Sequence, residues 1–347
     1  NFENKFVAID ICDLSIRILE LEKNGSIDKI RSFGMVNVPP GLIEDGRIVE
    51  KEKVTKIIQK AIKEVGPKKV STNKVICSLP ESKAFLRVIN IPKVSEEEAN
   101  EAVKWELEAN IPLTTDQVYF DWQFLDELGG KQRILTVAVA REIVDDITQV
   151  LSAAGLEVYG LELESISCAR SLIPQKVDNK EISIIVDIGS KKTSFIIVEG
   201  TTPYFTSSIP FSSQILSETI AGKLSVAREE AEKIGKGLEF SIENNAVFNV
   251  IKPLFESLAV EIEKTAEFYK SMSKEAQDIG HIILCGSGAN IKGIIPYLAT
   301  RLNIDIIFGD PWINLKFGNN LPVIDHDNSL GFSTAVGLAM KKIEYGD

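Results

Sequence analysis

The sequence predicts an α/β protein built from two related halves, with a small α+β insert in the first. Three observations carry that prediction. An apolar run ending in Asp, a small-residue turn and a second apolar run appear twice, as Phe6 to Leu19 and again as Ile184 to Val198. Strand-sized and helix-sized segments alternate after each copy, and a later apolar run, His281 to Cys285, leads into Gly286-Ser287-Gly288. Each copy of the first pattern reads as two strands joined by a tight turn. The backbone N–H groups and hydroxyls of such a turn suit phosphate, and an Asp at its mouth suits a metal, so two facing copies would make a nucleotide clamp.

Composition narrows the class. The chain has 347 residues, 44% of them hydrophobic and 26% charged, which is ordinary for a soluble globular protein with room for two cores. A net charge of −11, from 50 acidic and 39 basic residues, argues against a general nucleic-acid binder, which needs a basic face. The apolar runs are strand-sized, well short of the roughly 18 to 20 residues that cross a bilayer. Cys12, Cys77, Cys168 and Cys285 form no Cys-x-x-Cys pair, so the expectation is reduced, mostly buried thiols rather than a zinc or redox motif. With no charged-then-apolar leader at Asn1, a cytoplasmic compartment is expected.

The elements follow in order. After the first hairpin, Lys29 to Asn37 reads as a strand, Pro39-Pro40-Gly41 as a turn and Lys51 to Val65 as an amphipathic helix with Val54, Ile57, Ile58, Ala61, Ile62 and Val65 on one stripe. Gly66-Pro67 stops it, and a strand from Lys74 to Leu79 leads to Pro80. The next stretch is self-contained: strand Ala84 to Ile91, helix Glu96 to Ala109, strands Val118 to Leu125 and Ile134 to Ala140, and helix Ile143 to Ala154. That order reads as a small α+β insert. Its first helix opens on Ser95 and Glu98 in capping-box spacing. A strand from Glu157 to Leu163 and a helix from Ser165 to Leu172 complete the first half.

In the second half, helices are expected over Ser212 to Lys223, Ala227 to Lys236 and Ala246 to Met272. Pro253 should kink the last of these or mark its true start. The segment from His281 to Asn290 reads as strand, glycine turn and the start of a helix, an arrangement that suits a ligand at a helix N-terminus.

On the two Asp-tipped hairpins and the strand followed by Gly-x-Gly, the chain resembles the actin, sugar-kinase and heat-shock-chaperone ATPase superfamily over nearly its whole length. The insert falls where the cell-division protein FtsA and the pilus PilM family carry a special subdomain. The stretches Val75 to Pro80, Ala102 to Leu113 and Asp121-Trp122 resemble the PilM family of type IV pilus assembly proteins in particular. The resemblance implies an actin-like (ribonuclease H-like) fold of duplicated domains flanking a nucleotide cleft. It divides the chain into a first half at 1–79 and 157–183, the insert at 80–156, a second half at 184–211 and 277–325, a helical nucleotide-side subdomain at 212–276 and a return helix at 326–347.

It also implies site residues. Asp10 and Asp187 would hold Mg²⁺ for ATP. The turn of Asp13, Leu14 and Ser15, with Arg17, and the turn of Gly189, Ser190, Lys191, Lys192 and Thr193 would take the phosphates. Gly286, Ser287, Gly288 and Ala289 would lie close to the nucleoside, and Glu230 and Lys233 would touch ribose and adenine. Glu164 would position water for phosphoryl transfer. Each has a plainer reading: a strand-end Asp forms turns, Glu and Lys at helical spacing are a solvated face, and Glu164 can cap the helix that follows. The chain departs from the pattern at Cys12, where relatives usually have Gly, at Asp13 and Leu14, where Ser or Thr is common, and at Arg17, where Lys is usual. Slow or absent hydrolysis is the expectation.

The implied function is an ATP-binding adaptor of the type IV pilus, or of the related type II secretion system, on the cytoplasmic side of the inner membrane. It would serve pilus biogenesis and twitching motility and bind the N-terminal cytoplasmic segment of a PilN-like membrane protein in a groove beside the insert. Pilus assembly ATPases and further copies of the chain are additional candidate partners. Trp105 and Leu107 are candidates for the groove only by their position in the insert, and a place in the core is the stronger expectation for both. The competing readings are an FtsA-like filament protein, against which the absence of an amphipathic membrane helix from Lys341 to Asp347 speaks, and a small-molecule kinase, for which no Asp declares itself as base.

Overall fold

Apolar runs that alternate with polar residues near the turn fold β1 (Val7–Cys12) back on β2 (Ser15–Asn24) across the two-residue turn Asp13-Leu14. The computed structural model describes residues 5–175, 181–237, 246–272, 277–291, 293–317 and 324–341. Lys342 to Asp347, part of the stretch read above as lacking a membrane helix, lies outside them.

After the first hairpin come β3 (Ile27–Asn37), the two-residue strands β4 (Ile43–Glu44) and β5 (Arg47–Ile48), and helix α1 (Lys51–Glu64). Val54, Ile58 and Ala61 form the buried stripe of α1. Then follow β6 (Gly66–Pro67) and β7 (Lys74–Leu79). The insert consists of β8 (Ala84–Pro92), α2 (Glu96–Asn110), β9 (Val118–Leu128), β10 (Lys131–Ala140) and α3 (Arg141–Ala153). Next are β11 (Glu157–Leu163), α4 (Glu164–Leu172), β12 (Ile182–Ile188), β13 (Thr193–Glu199) and β14 (Thr202–Ile209). Helices α5 (Ser213–Leu224), α6 (Arg228–Gly237) and α7 (Ala246–Met272) precede β15 (Ile279–Cys285), α8 (Ile294–Leu302), β16 (Asp305–Phe308), α9 (His326–Ser329) and α10 (Ser333–Ala339).

The chain forms two units. The first comprises residues 1–168, 203–206 and 334–347, and the second 169–202 and 207–333. In the first unit a sheet of order β11-β7-β1-β2-β3-β6 carries β1 at its centre, parallel to β7 and antiparallel to β2. Ile9, Ile11, Ile16 and Ile18 are all buried on one face of the hairpin. Helix α10 belongs to this unit, with Leu338 packed on Ala8 and Ile76. In the second unit β16-β15-β12-β13 repeats the plan, with β12 parallel to β15 and antiparallel to β13.

The insert contributes three antiparallel strands, β8-β10-β9, that lie under α2. Ile89, Ile91, Ala99, Val103, Leu107, Val118, Ile134 and Ala138 make its core. The capping box expected at Ser95 and Glu98 forms: the Glu98 N–H donates to Ser95 Oγ at 3.3 Å, and the Ser95 N–H donates to Glu98 Oε2 at 2.9 Å.

Two expectations change. Pro253 does not start α7, which runs through it from Ala246, and the Ser257 hydroxyl donates to the Pro253 carbonyl at 3.0 Å. The helix expected directly after the glycine turn begins only at Ile294, behind Gly293 in the left-handed region at φ 79°. Backbone bonds hold the intervening turn instead: the Gly286 N–H donates to Leu330 O at 3.0 Å, and the Gly288 N–H to Ile188 O at 2.8 Å.

Candidate functional site

In the first unit, the alternation that buries the isoleucines puts Asp10, Cys12, Ser15 and Arg17 together on the opposite face of the hairpin. The register pairs Asp10 with Arg17 and Cys12 with Ser15. Asp10 is 3% exposed and Arg17 6%. A buried carboxylate needs a counter-charge, and Arg17 Nη1 supplies it 3.6 Å from Asp10 Oδ2. The Cys12 thiol lies 3.5 Å from the same oxygen and accepts from Arg17 Nη1 at 3.8 Å. Asp10 Oδ1 and Ser15 Oγ are buried without a hydrogen-bond partner among the described residues.

The turn itself is engaged elsewhere. The Asp13 carboxylate accepts from the backbone N–H groups of Asp45 at 3.0 Å and Gly46 at 2.9 Å. It therefore holds the β4–β5 turn, where Asp45 and Gly46 both have positive φ. The Leu14 carbonyl accepts from the Val38 N–H.

Glu164 opens α4 beside the hairpin. Its Oε2 accepts from the Glu81 N–H at 3.2 Å, while Glu81 Oε2 accepts from the Ser165 N–H at 3.3 Å, so the two acids tie the turn at Glu81 to the first turn of α4. Glu81 Oε1 and Ser165 Oγ are buried with no hydrogen-bond partner among the described residues. Asp10, Cys12 and Glu164 each bring a ligand atom within 4.8 Å of the other two. Sequence reasoning missed Glu81, because nothing near Pro80 announces a link to a residue so distant in the chain. It also missed the pairing of Asp10 with Arg17, although counting outward from the Asp13-Leu14 turn would have found it.

In the second unit, Asp187 is half-buried at the end of β12, opposite Ser194, with Cys285 beside it on β15. The Gly189 N–H donates to Lys192 O at 2.9 Å and closes the turn. A Cβ at Gly189 would lie 2.8 Å from that carbonyl, so glycine is required there. The glycine turn after β15 crosses the same strand ends. Gly286 sits at φ +90°, and a side chain there would overlap the Asp187 carboxylate. A Cβ at Gly288 would meet Ile188 Cγ2 at 2.8 Å and Ser213 Cβ at 2.9 Å. Ser190 Oγ and Ser287 Oγ lie 3.3 Å apart, joining the two turns, and Ala289 is buried behind them. Thr193 is fully buried and donates its hydroxyl to Phe211 O at 2.9 Å, bracing the turn from below. Lys191 is exposed and Lys192 half-buried. Glu230 and Lys233 lie on α6 with exposed side chains, while Ala231 is buried.

The insert separates two residues that the sequence could not. Leu107 is 0% exposed in the core, whereas Trp105 is 75% exposed on α2. Phe124 on β9 is also exposed.

The family model of the type IV pilus assembly protein PilM matches residues 8–343. The chain belongs to the PilM family. Among solved structures, it is similar to the PilM-PilN type IV pilus biogenesis complex at TM-score 0.81 and 22% identity, over 96% of this chain and 97% of that one. It is also similar to the ethanolamine utilization protein EutJ from Carboxydothermus hydrogenoformans, at TM-score 0.59 and 16% identity over 97% and 90% of the two chains. MreB 5 of Spiroplasma citri bound to AMPPNP matches at TM-score 0.55 and 12% identity, over 96% and 95%. The fold is therefore actin-like, as the repeated hairpins predict. No helix among the described residues is long and apolar enough to cross a membrane.

Proposed function

We propose that this PilM-family chain is an ATP-binding adaptor of the type IV pilus assembly platform that docks the N-terminal cytoplasmic segment of a PilN-like inner-membrane protein. The observation that carries the docking part is Trp105, a large aromatic side chain 75% exposed on a helix whose other face is fully packed. A rigid aromatic of this kind is the commonest energetic anchor of a protein interface. The similarity to a PilM-PilN complex supports the choice of partner. A cytoplasmic position at the inner membrane, held by that partner, follows from the reading.

The nucleotide part rests on the second hairpin. Gly189, Gly286 and Gly288 let two turns pack closely around Asp187, where a Cβ would collide with Lys192 O, the Asp187 carboxylate and Ile188 respectively, and glycine turns gathered at strand ends suit the close approach of phosphate or nucleoside to backbone. Ser190 and Ser287 add hydroxyls on these turns. Asp187 would hold Mg²⁺, with Lys191 and Lys192 countering phosphate charge and Glu230 and Lys233 reaching ribose and base. Bound Mg²⁺ would neutralise charge on the phosphates. The first hairpin fits the same group less well: Arg17 already pairs with Asp10, Asp13 is taken up by the β4–β5 turn, and Cys12 narrows the backbone's freedom. Arg17 can still donate to a phosphate, and Glu164, fixed by the Glu81 N–H, can orient water. ATP is held and turned over slowly or not at all.

The experiment is capture of a synthetic peptide, the N-terminal cytoplasmic segment of the PilN-like protein, by the full chain with and without Mg-ATP. Enrichment in either state supports the adaptor. No enrichment in both overturns it.

A further inference from the structure

We infer that the outer face of α1 is a docking surface for an anionic lipid bilayer. Lys53, Lys56, Lys60 and Lys63 recur at spacings of three and four residues, so they line one ridge of the helix over roughly 15 Å. That ridge lies opposite the stripe of Val54, Ile58 and Ala61 that α1 buries, and all four lysines are exposed. Lys68 and Lys69, also exposed, continue the positive run past the end of the helix. From Lys51 to Lys69 the chain has seven lysines and two glutamates, a net charge of +5 within a chain of −11, so the remainder stands at −16. A strongly acidic protein thus gathers its positive charge on one helix and the loop behind it.

The fold itself makes little use of these lysines. Like charges three and four residues apart repel and weaken a helix. Lys56 and Lys63 have no ion pair among the described residues. Lys53 Nζ lies 3.4 Å from Glu50 Oε1 and Lys60 Nζ 3.9 Å from Glu64 Oε1, solvent-exposed pairs of a kind that contributes little. The composition of the ridge selects among negatively charged partners. It is lysine throughout, without the arginine that forks onto single phosphates or carboxylates and without an aromatic ring on which a base could stack. Lysine is also depleted from interfaces between proteins, whose centres are apolar. A row of flexible point charges on a convex helix suits a plane of smeared negative charge, which is what an anionic membrane presents. Because the apolar face of α1 is already packed in the core, the contact rests on charge and inserts nothing into the hydrocarbon. It would add to the peptide docking proposed above without depending on it.

The test is co-flotation of the full chain, without peptide or nucleotide, with vesicles of phosphatidylcholine alone or of equal parts phosphatidylcholine and phosphatidylglycerol. At low salt the chain should float with the anionic vesicles only, and about 1 M salt, where the screening length falls to about 3 Å, should release it. A lysine near an anionic surface is worth about fivefold in partitioning, so Lys56→Gln/Lys60→Gln/Lys63→Gln should weaken binding about a hundredfold. The urea midpoint of that variant should stay at the wild-type value, since all three side chains are exposed. Lys223→Gln/Lys252→Gln/Lys264→Gln removes the same charge from exposed helix positions of the second unit and should bind as the wild type does. Equal flotation with neutral vesicles, no flotation with anionic ones, an equal loss in the two triple variants, or tighter binding to a DNA duplex than to the anionic vesicles would overturn the surface. None of these results bears on capture of the PilN-like peptide, and failure of that capture would leave them standing.

Discussion

Arg17 stands directly across the hairpin from Asp10, with its guanidinium 3.6 Å from the carboxylate and both side chains nearly sealed from water. The first copy of the duplicated pattern thus carries its own counter-ion. The second places Ser194 across from Asp187 at the matching register. A single change tests the pair. Arg17→Met leaves Asp10 buried without its partner and should cost about 3–5 kcal/mol, read as a lower urea midpoint. Asp10→Asn in the same chain should recover much of that loss, giving a coupling well above about 0.5 kcal/mol. Additive effects would mean the two residues do not support each other.

The glycine turns make a second prediction. Gly288→Ala places a methyl 2.8 Å from Ile188 Cγ2 and 2.9 Å from Ser213 Cβ, and should cost about 1–3 kcal/mol. Its Mg-ATP heat in calorimetry should weaken more than stability alone explains. Gly222→Ala on α5 meets nothing within 4 Å and should instead stabilise by up to about 1 kcal/mol with ATP binding unchanged. Equal behaviour of the two variants would remove the nucleotide argument from this turn.

A pH dependence follows from the insert's capping box. The Ser95 backbone N–H, and then its hydroxyl, hold the Glu98 carboxyl below its usual 4.5. A value lowered on folding adds stability that is present above the unfolded pKa and is lost as pH falls through the folded one. Glu98→Gln should therefore lower the urea midpoint at neutral pH, and the gap from wild type should narrow below about pH 4.5. A gap that stays constant down to strong acid would show that the cap works without the charge.

How much of this was legible in the sequence depends on distance along the chain. The α2 cap was readable because Ser95 and Glu98 are neighbours in one turn. The insert's order was readable because its strands and helices each keep one period. Asp10 and Glu164 could be named as site residues but not joined, since the contact depends on the order β11-β7-β1, which brings the start of α4 to the end of β1. Asp13 read as an anion set beside phosphate, and its actual partners, the N–H groups of Asp45 and Gly46, lie in a turn that no local pattern connects to it. The helix expected after Gly288 was displaced to Ile294 because the glycine turn is held by Ile188 and Leu330 rather than by helical bonds. Trp105 and Leu107 had the same standing in sequence, and only the packing of α2 over β8-β10-β9 separated them.

That separation gives the sharpest contrast between fold and function. Leu107→Ala empties a core position and should cost about 2–5 kcal/mol. Trp105→Ala should change stability by no more than about 0.5 kcal/mol, because its side chain stands 75% in solvent. The most direct measurement is calorimetric titration of the PilN-like N-terminal peptide into the wild-type chain and into Trp105→Ala. Saturable binding to the wild type is expected, with a loss of about tenfold or more in the variant at unchanged stability. No binding by the wild-type chain, or equal affinity in the two, would contradict it.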